Sequence, residues 1–181
     1  MEDKEILLKF KNPETRHYGF NLLVRKYQQK IYWLIRRMVI DHDDADDLVQ
    51  DVFVKVWANL DHFREDSKLY TWIYRVATNE TLTFLQKKKR KYFLPLNDVS
   101  AELASKIPAN LSAELGGEEI QERFMKALLT LPAKQRSVFQ MRYYDEMPYE
   151  EMSEVTGTSV GALKASYHHA AKKVEEILKQ Y

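Results

Sequence analysis

The stretch DHDDADDLVQD, residues 41–51, holds six aspartates in eleven positions. Carboxylates at that density invite three kinds of chemistry. The first is calcium binding, since Asp41 and Asp43 match the opening ligand positions of an EF-hand loop. The pattern then fails, because Asp46 stands where the turn glycine belongs and Val52 where the final glutamate belongs. The second is hydrolysis by paired carboxylates, which would need a cleft that the residues around the cluster do not announce. The third is helix capping, in which acids satisfy free N–H groups at a helix start and complement its dipole. Capping accounts for Asp43 and Asp44. It leaves Asp47, Gln50, Asp51 and Val54, which recur along a face beside an apolar stripe and end near Trp57. Such a row is a docking surface for a basic protein helix.

A second group combines aromatics with base. KLYTWIYRVATNETLTFLQKKKRK places Tyr70, Trp72 and Tyr74 close together, shortly after Phe63, and sets Arg75, Asn79, Gln86 and Lys87 at helical spacing. Aromatic faces stack on unpaired bases and nearby lysines hold phosphates. Trp72 and Ile73 are equally expected of a core. For the face of Tyr70, Arg75 and Asn79 with the basic tail at Lys87, a nucleic-acid site and a plain solvated surface fit the composition equally well.

The third group is PYEEMSEVTGTSVGALKASYHHAAKKV. Pro148, Glu150 and Glu151 suit a helix start, Gly157 suits a tight turn, and Ser159 or Thr158 can cap a second helix. Val160, Leu163, Tyr167, Ala170, Val174 and Leu178 form one stripe on that helix. The opposite face carries Gly161, Ala162, Lys164, Ala165, His168 and Lys172, with no acid between Ser159 and Lys173. Small residues allow close approach to a major groove, and Ser159, Lys164 and His168 supply donors for base edges or phosphates. The spacing predicts a helix-turn-helix.

The elements that must position these groups are helices. Five glycines and no clear β-type alternation argue for an all-α chain. Helical periodicity covers about 18–39, 44–60 and 69–91, then 118–130, 132–145, 148–155 and 159–179. Between the two sets, a proline-containing, acidic segment reads as a flexible linker. The expected organisation is two small helical domains, 1–93 and 118–181, joined by a linker over 94–117. The 181 residues include no cysteine, so disulfides, thiol chemistry and cysteine-bound zinc are excluded. A charged N-terminus and the lack of a long apolar run point to a cytoplasmic protein. Net charge is only +1. Without a large basic excess, tight unaided binding to DNA is not expected. No nucleophile-base set, phosphate loop or metal spacing is present, so neither an enzyme nor a cofactor is expected.

With DADDLVQDVFVKVW, YTWIYRVATNETLTFLQKKKR and LPAKQRSVFQMRYYDEMPYEEMSEVTGTSVGALKAS in order, the chain resembles a bacterial RNA polymerase sigma factor of the small two-domain extracytoplasmic-function group. The resemblance spans nearly everything except the linker. It implies that Asp46, Asp47, Gln50, Asp51 and Val54 meet the clamp helices of the polymerase β′ subunit. It implies that Phe63, Lys68, Tyr70, Trp72, Arg75, Asn79 and Lys87 melt the −10 promoter element and capture a flipped base. It implies that Ser159, Gly161, Ala162, Lys164, Ala165, His168 and Lys172 read the −35 element as duplex. The linker would thread toward the polymerase active site, past the β subunit, and an anti-sigma factor would be a further partner. No small-molecule substrate is implied. One departure is that Ser166 and His169 stand where family members often carry arginine, which removes permanent phosphate contacts. A stand-alone helix-turn-helix regulator and a sigma-like decoy for an anti-sigma factor remain as alternatives.

Overall fold

The computed structural model describes residues 1–91 and 119–179, all of whose regular elements are helical. The expected linker, 94–117, lies outside the described residues. The N-terminal group comprises α1 (Asp3–Lys11), α2 (Arg16–Val39), α3 (His42–Asn59), a 3₁₀ turn (Leu60–His62) and α4 (Leu69–Lys91). The C-terminal group comprises α5 (Glu119–Leu129), α6 (Ala133–Tyr143), α7 (Tyr149–Thr156) and α8 (Val160–Leu178).

Helix α1 was not anticipated. It starts with a capping box, in which the Glu5 carboxylate accepts from the Glu2 N–H at 3.3 Å. It buries Ile6, Leu7 and Phe10 against α2. The close approach is made at Gly19, where a Cβ would fall 2.6 Å from the Phe10 backbone nitrogen. Helix α2 is the pillar of this group, with Leu23, Ile31 and Ile35 fully buried. It stops at Ile40, whose φ is 68°. A β-branched residue rarely takes a positive φ.

Helix α3 begins at His42, two residues before the expected start, and its N-cap is Asp41, whose carboxylate accepts from the Asp44 N–H at 3.1 Å. Asp44 is thus capped rather than capping. Its own carboxylate accepts from Lys88 on α4 at 2.5 Å, and the pair is largely shielded from solvent. One lysine of the basic run is therefore engaged within the fold.

In the C-terminal group Met125, Leu128, Leu129, Leu131, Phe139, Ala170 and Val174 form a core, with Tyr167 stacked on Phe139 at 5.4 Å. Gly157 closes α7 in the left-handed conformation, at φ 67°, and Ser159 caps α8. The helix-turn-helix is present as expected.

The two groups also pack on one another, α4 against α7 and α2 against α6. Val138, Met141, Met152 and Val155 share a buried cluster with the N-terminal core, and Ile40 shares one with Met125 and Phe139. Polar bonds cross the seam. Arg136 Nη2 donates to the Met38 carbonyl at 3.1 Å, and Gln140 Nε2 to the Arg37 carbonyl at 3.0 Å. These satisfy acceptors at the C-terminus of α2 that no intrahelical N–H reaches.

Candidate nucleic-acid interface

Three solvent-facing surfaces hold most of the residues singled out in the sequence. On α3, Asp47, Gln50, Asp51 and Val54 are exposed, Val54 to 66%. Asp46 is half-buried and pairs with His42 at 3.4 Å. Asp47 and Asp51 form no ion pair with the described residues. Unpaired carboxylates followed along the helix by an exposed valine make an anionic surface with an apolar end. Trp57 does not extend this row. It turns inward and packs edge-on against Phe10 and Phe20, at 5.4 and 4.9 Å.

The second surface is an open groove of about 340 Å³ along one side of α4. Trp72, Arg75 and Asn79 line it, and Trp72 leans on Phe63 with ring centres 5.4 Å apart. The opposite wall is Lys55 and Asn59 of α3 with His62 of the 3₁₀ turn, none of which was singled out in the sequence. Lys55 is tied to Glu80 at 2.5 Å. The groove thus sets an indole beside the amides of Asn59 and Asn79, with Arg75 and the Lys55–Glu80 pair also lining it, and can hold one unstacked base. Lys87 is exposed farther along the helix.

Tyr70 and Lys68 do not join this groove. Tyr70 lies on the other side of α4, stacked on Tyr27 at 5.5 Å with Lys30 Nζ 5.3 Å above its ring. Burial pushes its phenol up to about 12, with Asp145 and Glu151 adding to the rise. Tyr74 is a core residue, 2% exposed, whose hydroxyl donates to Asp145 at 2.6 Å. Lys68 is exposed, with Nζ 3.9 Å from Glu151.

The third surface is the outer face of α8. Ser159, Gly161, Ala162, Lys164, Ala165, His168 and Lys172 are all exposed. Ser159 Oγ accepts from the Ala162 N–H at 3.3 Å, and a Cβ at Gly161 would meet no atom within 4 Å. Lys164 Nζ lies 5.7 Å from the centre of the Tyr149 ring, with the Arg142 guanidinium 5.2 Å from that same ring. Arg142 and Tyr149 thus extend the cationic surface from α6 and α7. Leu163, Ala170 and Val174 anchor the other side of α8 in the core. The result is a small-residue, cation-bearing helix start held outward, the shape a major groove accepts.

Among the described residues no cluster of His, Cys, Asp or Glu could hold a metal ion. None of the described helices is long and apolar enough to cross a membrane.

Two segments of the chain match known family models. Residues 23–91 match the family model Sigma-70 region 2, and residues 121–174 match Sigma-70, region 4. The chain is 32% identical over 172 residues to the ECF RNA polymerase sigma factor SigW of Bacillus subtilis, covering 89% of both proteins. It is 32% identical over 168 residues to the ECF RNA polymerase sigma-E factor of Escherichia coli K12, covering 87% of this chain and 85% of that one. Among solved structures it is similar to the sigma factor RpoE of Bartonella quintana in complex with the anti-sigma factor NepR. That likeness has a TM-score of 0.68 and 25% identity, over 88% of this chain and 96% of the other.

Proposed function

The chain belongs to the extracytoplasmic-function group of bacterial RNA polymerase sigma factors, and from that premise we propose how its surfaces divide the work. As an alternative sigma factor it binds core RNA polymerase and directs promoter recognition and transcription initiation. The acidic row of α3, Asp46, Asp47, Gln50, Asp51 and Val54, docks on the polymerase β′ clamp. The α4 groove takes a base from the opened −10 element, with Phe63 and Trp72 stacking, Asn79 reading and Arg75 and Lys87 on phosphates. The outer face of α8 reads the −35 duplex. Lys68 and Tyr70 contact the −10 strand from the far side of α4. The linker runs along the β subunit. The chain works in the cytoplasm and performs no catalytic step; polymerase makes the phosphodiester bonds. An anti-sigma factor restrains it, as the complex of the Bartonella relative with NepR suggests.

The observation that carries this reading is the pairing of opposite surfaces on one chain. An anionic row whose Asp47 and Asp51 pair with no described residue gives no advantage to a protein that acts on DNA alone, because phosphate repels it. A clamp of basic character explains it, and the acid-free face of α8 then remains for DNA.

The test is transcription with bacterial core polymerase on sheared genomic DNA, mapping starts with and without the protein. New starts sharing two spaced upstream motifs are expected. Core binding without new starts would instead indicate a decoy, and specific duplex binding without polymerase would indicate a stand-alone regulator.

A further inference from the structure

The short segment beside the base groove is pinned at both ends by one corner of the fold. Arg16, the first residue of α2, donates to Asp61 in the 3₁₀ turn through two guanidinium nitrogens, Nη1 to Oδ1 at 3.1 Å and Nη2 to Oδ2 at 2.5 Å. Lys11, the last residue of α1, donates to Glu65 Oε1 at 2.9 Å. Between these two carboxylates lie only His62, Phe63 and Arg64. His62 lines the groove, and Phe63 leans on Trp72.

The corner that supplies the two cations is itself tied down. The Thr15 hydroxyl donates to the Lys9 carbonyl at 2.8 Å, and the Glu14 N–H to Asn12 Oδ1 at 3.0 Å. The Arg16 guanidinium lies 4.1 Å from the centre of the Phe10 ring and 5.2 Å from that of Trp57. Phe10 is 1% exposed, and Trp57 is also stacked by His17 at 5.1 Å. A guanidinium held against a core ring of α1 and an indole of α3 loses rotamer freedom, so its fork meets Asp61 already oriented. Glu65 has a φ of 60°, a conformation that a non-glycine residue keeps only where its surroundings hold it. Two carboxylates beside a groove for a nucleic-acid strand repel its phosphates. Their presence is accounted for by the backbone geometry they fix.

We infer that Arg16 is a positioning residue for capture of the −10 base: through Asp61 it sets the 3₁₀ turn, and with it His62 and Phe63, against the groove. Arg16 and all of α1 precede the segment that matches the region 2 family model, residues 23–91, so that match assigns them no role. The inference rests on the assignment of Phe63 and the groove to the −10 strand made above.

The test uses the full chain with core polymerase and promoter templates taken from the mapped starts. Capture is read as the ratio of holoenzyme affinities for two fork templates, one with an intact single-stranded −10 strand and one abasic at a single position of it. Scanning the abasic site along the strand finds the captured base, where the native ratio should be about tenfold or more. Arg16→Ala should cut that ratio about fivefold or more. Core affinity and the unfolding midpoint should stay near native, because a partly exposed ion pair contributes little stability. Arg16→Lys, which keeps the charge and loses the fork, should fall with it. Asp61→Asn should fall by a similar factor, although removing a negative charge near DNA would by itself tighten binding. The Arg16→Ala, Asp61→Asn double variant should be no worse than either single change.

A native ratio in Asp61→Asn, or losses that multiply in the double variant, would overturn the inference, since Arg16 would then meet DNA directly. Core binding and capture that fall together in Arg16→Ala would overturn it too, as the mark of a merely structural residue. Asn79→Ala separates the two readings. Capture that survives Asn79→Ala defeats the groove assignment and the inference with it, whereas capture lost there and kept in Arg16→Ala overturns the inference alone.

Discussion

Gly161 offers a perturbation whose effects on stability and on DNA reading have opposite signs. It is the second residue of α8, it is exposed, and an added Cβ would meet no atom within 4 Å. Nothing in the protein therefore opposes Gly161→Ala. Alanine exceeds glycine in helix interiors by about 0.8–1 kcal/mol, and rather less applies in a first turn. A stabilisation of about 0.5 kcal/mol is expected, with the Ser159 cap untouched. Leucine, nearly as good a helix former, should also stabilise. At the DNA the effect reverses. A leucine side chain where α8 meets the groove floor lifts neighbouring donors off the bases, and each good base contact is worth about 1–3 kcal/mol of discrimination. Loss of one such contact predicts a fall of about tenfold or more in −35-dependent transcription for Gly161→Leu, and a smaller fall for Gly161→Ala. Denaturant unfolding of the full chain measures the first sign. Holoenzyme transcription on templates with intact and scrambled −35 elements measures the second. A leucine variant that is stable and still fully −35-dependent would refute the placement of α8 in the groove.

Asp51→Lys should weaken core polymerase binding about a hundredfold, as charge reversal at an interface costs several kcal/mol, while leaving the melting curve unchanged at this exposed site; unaltered affinity in a pull-down titration would remove the docking surface. Asn79→Ala should slow strand opening, read by permanganate reactivity at −10, more than it weakens initial duplex binding. Lys164→Ala should weaken −35 binding and reduce its salt dependence by about one counterion; salt titrations that superimpose on the native curve would contradict it. Gly19→Ala should destabilise the N-terminal domain by about 2 kcal/mol, because its Cβ would sit 2.6 and 2.9 Å from α1 backbone atoms; an unchanged unfolding midpoint would show that α1 yields freely.

Where local periodicity and turn chemistry decide the outcome, the sequence was legible. Helices α2 to α4 and α5 to α8 fall within about two residues of their expected ends, and Gly157 marks its turn. Helix α1 was overlooked because nine charge-rich residues carry little periodicity, although Ile6, Leu7 and Phe10 with the Glu2 and Glu5 capping pair were a usable signal. The far wall of the groove, Lys55, Asn59 and His62, was invisible because it exists only once α3 and α4 pack side by side. Arg136 and Gln140 defeated the rule that charged and amide side chains face water. They lie inside because the end of α2 presents carbonyls that need donors, and no local pattern announces that need. Tyr70 was grouped with Trp72 on composition, yet two residues turn a helix by about 200°, which separates them onto opposite sides.

The seam and the acidic row proposed to meet polymerase share one junction. Ile40 ends α2 inside the C-terminal core, the next residue, Asp41, caps α3, and the acidic row begins at Asp46, only six residues after Ile40. A seam closed by apolar area alone would hold regardless of what happens to α3. This one depends on the geometry of the α2 end, through two side-chain bonds to its carbonyls, 3.1 and 3.0 Å long, and through the positive φ of Ile40. A buried guanidinium adds little net stability, so the docked form is specified more than it is strengthened. A partner that gripped α3 and shifted its first turn would act on these two side-chain bonds, and not on the Val138, Met141, Met152 and Val155 contacts or the Thr71–Glu151 and Tyr74–Asp145 bonds elsewhere in the seam. Coupling between two such sites is reciprocal. A partner that shifted the docked population through α3 would find its own affinity lowered by docking by the same factor.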